Sequence, residues 1–344
     1  MNKSTTIAID LAKSSFQVCK LVGNHVATEK SFSKAKLKSW LLKQPPCTVV
    51  MESCATSHFW GRYCQSIGHN VILIAPKNVS PFRTNQKTDK NDAMAIAVAA
   101  KQPNVHFIAV KSVRAQSLQS IDKMRQHLVD TITATSNMIR ALVAEFGIDI
   151  SRGTSAFGKQ VPFVLEDAEN GLPDIVREQI SMMYWLYQDL IEKKETIAKQ
   201  LNNEIQQQPE CRDLSALEGV GNVNALALYL AIGEGGGNFK NGREASACIG
   251  LTPKQYSTGG KTVLLGIGKK FACKRIRANL IQGALAFVRV VDRREPKTTK
   301  EAWVKSLIER AGLRRAAVAL ANKTVRTAWS MLNHHQPYQL PEPV

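Results

Sequence analysis

The stretch Thr5–Val22, TTIAIDLAKSSFQVCKLV, decides the fold of the first third of the chain. Its first part, Thr5–Asp10, is a run of β-branched and apolar residues that ends on a carboxylate, which is typical of a buried strand. Phe16–Val22 has the same character, and the short segment between the two runs predicts a hairpin. The two strands are therefore expected to pair, with Asp10 at the end of the first.

Strand-like and helix-like stretches alternate after this hairpin. Paired strands followed by such an alternation predict a mixed α/β sheet with helices on its faces. The predicted strands are Val26–Phe32, Cys47–Met51 and Asn70–Ala75, and the predicted helices are Leu37–Gln44, Ser57–Ile67 and the alanine-rich Asp89–Lys101.

In the middle of the chain, the apolar residues repeat with the spacing of long helices. Apolar residues recur about every 3.5 positions from Leu118 to Phe146 and again from Met183 to Leu201. This pattern predicts two long helices that form an antiparallel coiled-coil hairpin or part of a dimer contact. The link between them, residues 149–174, contains three glycines and two prolines and is predicted to be a loop with short pieces of structure.

The last third is predicted to be mainly helical, with a proline-rich and loose tail from His334. The fold class is therefore α/β followed by α. The changes of pattern predict three domains, residues 1–108, 109–210 and 211–344.

Charge is distributed unevenly along the chain, whose net charge is +18. Residues 1–110 carry +9, residues 111–233 carry −4, and residues 234–344 carry +13. Two basic ends around a mildly acidic middle predict a polyanionic partner of the nucleic-acid class. The alternatives are a solvated basic surface or contact with an acidic membrane.

The seven cysteines show no metal-binding spacing such as CxxC, and no apolar run approaches the length of a transmembrane helix. An odd, scattered set of thiols predicts reduced cysteines in a cytoplasmic protein with no membrane association. The polar first residues also lack the pattern of a signal peptide.

The acids of the first domain are few, and they stand where their side chains can converge. Residues 1–110 contain five acids, of which Asp10 and Glu52 end buried strands, while Asp89 and Asp92 lie three apart on one helix face. Carboxylates at strand ends point into the crevice where open α/β folds bind ligands. They repel one another unless cations bind them, and two Mg²⁺ ions would suit both that need and phosphoryl displacement. The alternative for each acid is a turn, a cap or an interaction with the helix dipole.

A hydroxyl-bearing segment lies in the most basic part of the chain, where no acid occurs between residues 244 and 292. Ser257 and Thr258 precede two glycines, whose amides approach an anion closely, and a hydroxyl beside them can attack phosphorus. The alternative is a simple Ser/Thr-Gly-Gly turn. The predicted nucleic-acid contacts of this region are Lys254, Gly259, Gly260, Lys261, Lys269, Lys270, Lys274, Arg275 and Arg277.

The sequence EGVGNVNAL, residues 218–226, resembles a helix–hairpin–helix turn. In such a turn, glycine-flanked amides at a helix start contact the nucleic-acid backbone without reading bases. Gly219 and Gly221 are therefore further candidates for nucleic-acid binding. A tight interhelical turn is the alternative, and the two interpretations do not exclude each other.

Several motifs together resemble a known family. IAIDLAKSSF, VVMESC and KTDKNDAMAIA are similar to the RuvC-like, RNase H-type nuclease core in its Asp-Glu-Asp-Asp arrangement. The K-T-D-x-x-D-A wording resembles the insertion-sequence 110 family of transposases, and GLTPKQYSTGGKTVLLGIGKK resembles the family's C-terminal domain, specifically in its 1111 subgroup. The resemblance covers nearly the whole chain.

The resemblance implies a DNA transposase-recombinase that exchanges strands through a covalent phosphoserine intermediate. It implies a dimer or tetramer that acts on double-stranded element-end and target DNA, guided by a structured bridge RNA that pairs with both. The family pattern places the nucleophilic serine where Thr258 stands, one residue after Ser257. We favour Ser257 as the less hindered hydroxyl and keep Thr258 as the alternative. The implied Mg²⁺ ligands are Asp10, Glu52, Asp89 and Asp92.

Three other functions stay open at the level of the sequence. TTIAIDLAKSS loosely resembles the first phosphate loop of actin-like sugar kinases and ATPases, which would turn over nucleotide without DNA. A RuvC-type junction endonuclease would use the carboxylates without the serine segment. A purely architectural nucleic-acid-binding protein would keep every activity with alanine at Asp10 or Asp92.

Overall fold

The computed structural model describes residues 4–84, 86, 88–267 and 274–343. The chain forms two compact units. One joins both ends of the chain, up to Ala115 and from Pro209, and the other is Gln116–Gln208. In the described residues, no helix is both long enough and apolar enough to cross a membrane.

A six-stranded sheet organises the first third of the chain. Its order is β3-β2-β1-β4-β5-β6, in which β4 runs parallel to β1 and β5 and the other neighbours are antiparallel. The five predicted strands are confirmed, whereas the two-residue β6 is too short to show a period. The sheet is consistent with the RNase H-type core that the sequence resembles. The strands are β1 Thr5–Leu11, β2 Ser15–Val22, β3 His25–Ser33, β4 Thr48–Glu52, β5 Asn70–Ile74 and β6 Phe107–Ile108.

Helices cover both faces of this sheet because strand side chains alternate between the faces. Ile9 packs in one core cluster with Trp60, and Ala8 packs in another with Val50 and the alanines of the last helix of this region, among them Ala93. Those small side chains let the helix lie close to β1, which brings its first turn towards the strand ends. The helices are α1 Lys34–Leu42, α2 Ser57–Ser66, α3 Pro76–Val79 and α4 Asp89–Ala99.

The second unit is helical, and its core joins all three of its helices. The two long helices are confirmed, and the link predicted as a loop with short pieces of structure contains a helix of 13 residues. Pro162 lies inside that helix and has no N–H for the carbonyl of Gly158. The Tyr184 hydroxyl donates to this carbonyl at 3.0 Å, which replaces the missing bond. The helices are α5 Val113–Ala144, α6 Thr154–Glu166 and α7 Asp174–Gln206.

The last third packs several helices around the long closing helix, with one hairpin of strands inserted. The mainly helical prediction holds for most of it. The elements are α8 Pro209–Leu214, α9 Asn222–Ile232, α10 Gly242–Ile249, β7 Pro253–Thr258, β8 Lys261–Ile267, α11 Lys274–Asp292, α12 Thr299–Ala311 and α13 Leu313–His334.

The tail after α13 is attached to this core, so the prediction of a loose tail was wrong. The Tyr338 hydroxyl donates to both carboxylate oxygens of Glu218, at 2.7 and 2.9 Å, and the buried Lys300 ammonium donates to the same carboxylate. Burial lowers the pKa of Lys300, and Glu218 opposes that shift. A proline-rich composition did not reveal this attachment because its partners lie far away in the sequence.

Candidate active site and nucleic-acid contacts

Asp10 and Glu52 lie side by side at the ends of two neighbouring parallel strands. Ile9 of β1 is in register with Met51 of β4, so the next residue of each strand is a carboxylate at the same sheet edge. Alternation places Asp10 on the face of Ala8. That face is the one covered by α4. The sheet therefore presents both acids to the start of this helix.

Asp89 and Asp92 occupy the first turn of α4. Thr88 caps the helix, because its hydroxyl oxygen accepts a hydrogen bond from the amide of Asn91 at 3.3 Å. Carboxylates in a first turn also interact favourably with the helix dipole. The helix-dipole interpretation of these two residues is therefore consistent with the structure, the cap itself is Thr88, and convergence with the strand-end carboxylates stays a prediction.

The fold raises the pKa of Asp10 from 3.8 to about 6. Burial is the largest cause, followed by the negative charges of Asp92, Asp89 and Glu52, while Arg83 lowers the pKa. The other three carboxylates thus lie within electrostatic reach of Asp10. We call the four together the carboxylate cluster.

Arg83 is a member of the site that sequence reasoning missed. Its Nε donates a hydrogen bond to Oδ1 of Asp92, and the two side chains are 28% and 14% exposed. Only the folded loop before α4 shows this pairing, although an arginine nine residues before Asp92 was a weak signal. The fifth acid of the first domain, Glu29, pairs with Lys90 at 2.7 Å and stays outside the cluster.

The chemistry of the donor set fits Mg²⁺, which prefers carboxylate oxygens. A divalent cation would offset the repulsion that raises the pKa of Asp10. Across the described ranges, however, no three His, Cys, Asp or Glu side chains are grouped closely enough to hold one ion. The other three carboxylates are therefore near enough to raise the pKa of Asp10, and a shared metal would require the side chains to move closer together.

Ser257 and Thr258 end the first strand of an exposed β7–β8 hairpin. Gly259 and Gly260 form its two-residue turn, with φ of 55° and 79°, values that favour glycine. Every residue of β7 is exposed. The Ser/Thr-Gly-Gly turn given as an alternative is thus present, and it presents two hydroxyls to solvent.

The two hydroxyls face opposite sides of the hairpin because they are neighbours in a strand. The Ser257 Oγ lies 3.3 Å from Thr262 Oγ1 and accepts a hydrogen bond from Gln255 Nε2 at 3.1 Å. Thr258 pairs in register with Lys261. In the part of the chain that the structure describes, neither hydroxyl bonds to the carboxylate cluster, so the two groups of candidates are not brought into direct contact.

The predicted basic contacts lie at the surface around this hairpin. Lys254 and Lys261 are exposed in the hairpin itself. At the start of α11, Lys274 and Arg275 are exposed and Arg277 is half-buried. The predicted contacts Lys269 and Lys270 lie outside the described residues.

The two glycines of the turn before α9 have different structural roles. Gly219 has φ of +75°, and a Cβ there would lie 2.6 Å from the carbonyl oxygen of Gly283 in α11. Close packing therefore explains Gly219. Gly221 caps α9, and a Cβ there would meet nothing within 4 Å. Gly221 is also exposed, as a backbone contact to nucleic acid requires.

Two family models match the chain. A DEDD-type model of IS110 elements, described as "Transposase", matches residues 7–148, which hold the carboxylate cluster. A model described as "Transposase IS116/IS110/IS902 family" matches residues 211–300, which hold the hairpin.

Curated relatives match over nearly the full length. The chain is 34% identical to the transposase for insertion sequence element IS1111A of Coxiella burnetii, over 97% of this chain and 91% of the relative. It is 34% identical to the transposase for insertion sequence element IS1328 of Yersinia enterocolitica, over 96% and 97%. A probable family 20 transposase of Pseudomonas aeruginosa is 33% identical over 97% and 98%.

Proposed function

The chain belongs to the IS110 family of insertion-sequence transposases, and from this premise we propose that it cuts and rejoins DNA with two chemical groups. The first is a Mg²⁺ site built from the carboxylate cluster. The second is a hydroxyl nucleophile in the β7–β8 hairpin, Ser257 with Thr258 as the alternative. The observation that carries the proposal is geometric: Asp10 and Glu52 end paired parallel strands, and the helix that covers their face carries Asp89 and Asp92 in its first turn. The raised pKa of Asp10 supports it.

The carboxylate cluster would hold the metal through Asp10, Glu52, Asp89 and Asp92. Bound Mg²⁺ would neutralise charge on the phosphate that reacts. Release of Asp92 from Arg83 would free a ligand oxygen, and the freed guanidinium is a donor for a phosphate oxygen.

The hairpin would supply the covalent chemistry. The hydroxyl oxygen bonds to phosphorus as one ester bond of the DNA strand breaks, the hydroxyl proton leaves, and the released strand oxygen takes up a proton. Lys254 and Lys261, both exposed in the hairpin, would offset the charge of the phosphates. A return attack by a different strand end would rejoin DNA and regenerate the hydroxyl.

We further propose a structured guide RNA and a homo-oligomer, dimer or tetramer, as partners. The support is the charge of the two ends, +9 for residues 1–110 and +13 for residues 234–344, together with the absence of zinc-finger spacing from the sequence. With base pairing delegated to RNA, the protein would mainly contact backbones.

A second candidate is a metal-dependent endonuclease that activates water. The observation that favours it is the separation of the hydroxyls from the carboxylate cluster: in the described residues, Ser257 bonds within its own hairpin. Such an enzyme would need the carboxylates and would be indifferent to both hydroxyls.

Covalent trapping distinguishes these functions. The protein is incubated with Mg²⁺, element-end DNA and RNA from the flanking non-coding region, then digested, and DNA-linked peptides are mapped by mass spectrometry. We expect linkage at Ser257 that is lost in Ser257→Ala and Asp10→Ala and kept in the control Thr262→Ala, which removes the neighbouring hydroxyl. Linkage at Thr258 would move the nucleophile by one residue. Metal-dependent nicking with no linked peptide would support the endonuclease.

A further inference from the structure

A large groove lies at the base of the β7–β8 hairpin. It is bounded by the start of α10, by α12 and by one face of α13, and its volume is about 1090 Å³. Pockets for small ligands usually measure about 300–1,000 Å³, so this groove has room for a segment of a polymer. Pro253 and Ile267, which pair at the open end of the hairpin, form one of its borders.

The charge of this groove has one sign. Arg243, Arg315, Lys323 and Arg326 line it and are exposed, and no acid is among the described residues that line it. None of these four forms an ion pair with an acid in the described ranges. The nearby Glu244 accepts a hydrogen bond from the amide of Lys240 instead. Cations without acidic partners along a groove are complementary in charge to the phosphates of a nucleic-acid strand.

Two indole rings accompany the cations. Trp303 and Trp329 line the groove and are half-buried, so part of each ring is open to it. The Lys323 ammonium lies 4.5 Å from the centre of the Trp303 ring, a cation–π contact that holds the charge in the groove. Trp329 is anchored by donation from its Nε1 to the carbonyl of Phe239 at 3.1 Å. Rigid aromatic faces next to a basic track are the usual components of single-strand binding.

We propose that this basic groove binds a single strand of nucleic acid, with phosphates at Arg315, Lys323 and Arg326 and with bases against the indoles. We favour a single strand over a duplex because two half-buried indole rings line the groove, and the bases of a single strand are free to stack on them. The inference rests on the proposed function, since it assigns to the transposase a place for the strand next to its reactive hairpin. The chain from Pro253 to Thr258 spans about 17 Å, so the bound strand would lie about five stacked nucleotides from the hydroxyls.

Binding of single-stranded probes tests the groove without any catalysis. Full-length protein carrying Asp10→Ala is titrated into fluorescein-labelled dT12, rU12 and an abasic 12-mer at several salt concentrations. The test variant is R315Q/K323Q/R326Q. The control R152Q/K159Q/K199Q removes three exposed cations from the second unit. A further pair, Trp303→Ala and Trp303→Phe, separates the aromatic contribution from the charges.

For the test variant we expect the slope of log Kd against log salt to fall by about 2, because three phosphate contacts are lost. The control should keep the slope of the parent. Trp303→Ala should weaken dT12 binding by about 5- to 150-fold while Trp303→Phe retains most of it, and neither should alter the abasic probe as much. Tighter binding of dT12 than of rU12 would identify the strand as DNA, and the reverse as RNA.

Equal slopes for the test and control variants would overturn the proposal. So would competition by polyglutamate as effective as that by dT12, since the groove would then bind any anion. These outcomes are independent of the nucleophile. If the groove binds dT12 but the protein forms no covalent complex with DNA, only the proposed chemistry is refuted. If the protein forms the covalent complex but the groove variants bind dT12 as the parent does, only the proposed groove is refuted.

Discussion

Asp10 is the member of the carboxylate cluster whose titration should change the stability of the protein with pH. Its pKa in the folded protein, about 6, lies above its ordinary 3.8, so the folded state binds this proton more tightly. The bound proton of Asp10 therefore contributes fully to the free energy of unfolding below about pH 4, and this contribution is lost as the pH rises through about 6. The full shift would correspond to about 3 kcal/mol, and solvent screening at this half-buried site reduces it to about 1 kcal/mol.

We expect Asp10→Asn to be more stable than the parent by about 1 kcal/mol at pH 7.5 in EDTA, and the difference to shrink towards pH 4.5. Saturating Mg²⁺ should reverse the order, because the parent then gains a bound cation and the variant has lost a ligand. Urea unfolding at the two pH values measures both effects. Glu29→Gln is the control, since Glu29 pairs with Lys90 outside the cluster. Identical pH dependence of Asp10→Asn and the parent would contradict convergence of the carboxylates.

Gly219 and Gly221 allow packing and binding to be separated within one turn. A methyl group on Gly283 would lie 2.0 Å from the carbonyl oxygen of Gly219. Gly283→Ala and Gly219→Ala should therefore lower the free energy of unfolding by at least about 2 kcal/mol. Gly221→Ala should cost no more than about 1 kcal/mol, because nothing lies within 4 Å of its added methyl group and only the preference of a helix cap for glycine over alanine is lost.

The same Gly221→Ala variant tests the nucleic-acid contact. A methyl group beside an amide that approaches a phosphate should weaken duplex binding several-fold while the fold stays intact. Fluorescence anisotropy with duplex DNA measures this effect. Unchanged affinity would leave the turn with a packing role alone, which is the simpler of the two interpretations of EGVGNVNAL.

At the scale of elements, α6 shows how a helix can contain a proline. Pro162 cannot donate to the Gly158 carbonyl, and the Tyr184 hydroxyl does so. Tyr184→Phe should cost about 1 kcal/mol, because it leaves a half-buried carbonyl without this partner. In a Pro162→Ala background the backbone N–H returns, so the same substitution should cost less. A double-mutant cycle by urea unfolding checks this coupling, and equal costs in both backgrounds would exclude it.

This helix also explains why the sequence predicted some elements and not others. The strands of the first third could be predicted from runs such as Thr5–Asp10, in which the β-propensity of the residues agrees with their burial in the sheet. Residues 149–174 were predicted as a loop with short pieces of structure because Gly158 and Pro162 are local breakers, whereas Tyr184, which replaces the hydrogen bond that Pro162 cannot donate, lies on another helix. Contacts between distant positions likewise attach the tail through Tyr338.

The same distinction between local and tertiary information applies to the residues of the candidate site. The four carboxylates were predicted because acids are scarce in a basic domain and fall at strand ends and on one helix face. Arg83 was missed because its pairing with Asp92 exists only once the loop before α4 is folded. That the cluster binds Mg²⁺, and that Ser257 is the nucleophile, stay predictions for the experiments above.

At the scale of the whole molecule, the charge pattern follows the two units. The first unit contains both basic ends of the chain, and the second contains most of the mildly acidic middle. The hairpin, the basic groove and the carboxylate cluster all belong to the first unit. Its two chain segments are far apart in sequence, so the contacts that join them determine whether these sites act as one body.

Asn238 joins the two segments of the first unit by hydrogen bonds on both sides. Its Oδ1 accepts from the amide of Ala109 at 2.8 Å, its Nδ2 donates to the carbonyl of Ala231 at 3.0 Å, and its own carbonyl bonds with His106 Nε2. We expect Asn238→Ala to lower stability by about 2 kcal/mol through two lost side-chain bonds. It should also separate the unfolding of the segment that ends near residue 109 from that of the last third.

Hydrogen exchange followed by mass spectrometry would report the two segments separately. Asn322→Ala is the matched control, because Asn322 also donates two hydrogen bonds, to Ser246 Oγ at 3.0 Å and to the Leu251 carbonyl at 3.2 Å, but entirely within the last third. The control should lose stability and keep one cooperative transition. If Asn238→Ala also unfolds in a single transition, the cohesion of the first unit resides in its other contacts, among them the hydrogen bond from the Ser112 amide to Glu234 Oε2 at 2.9 Å, and the sites it carries are coupled without this asparagine.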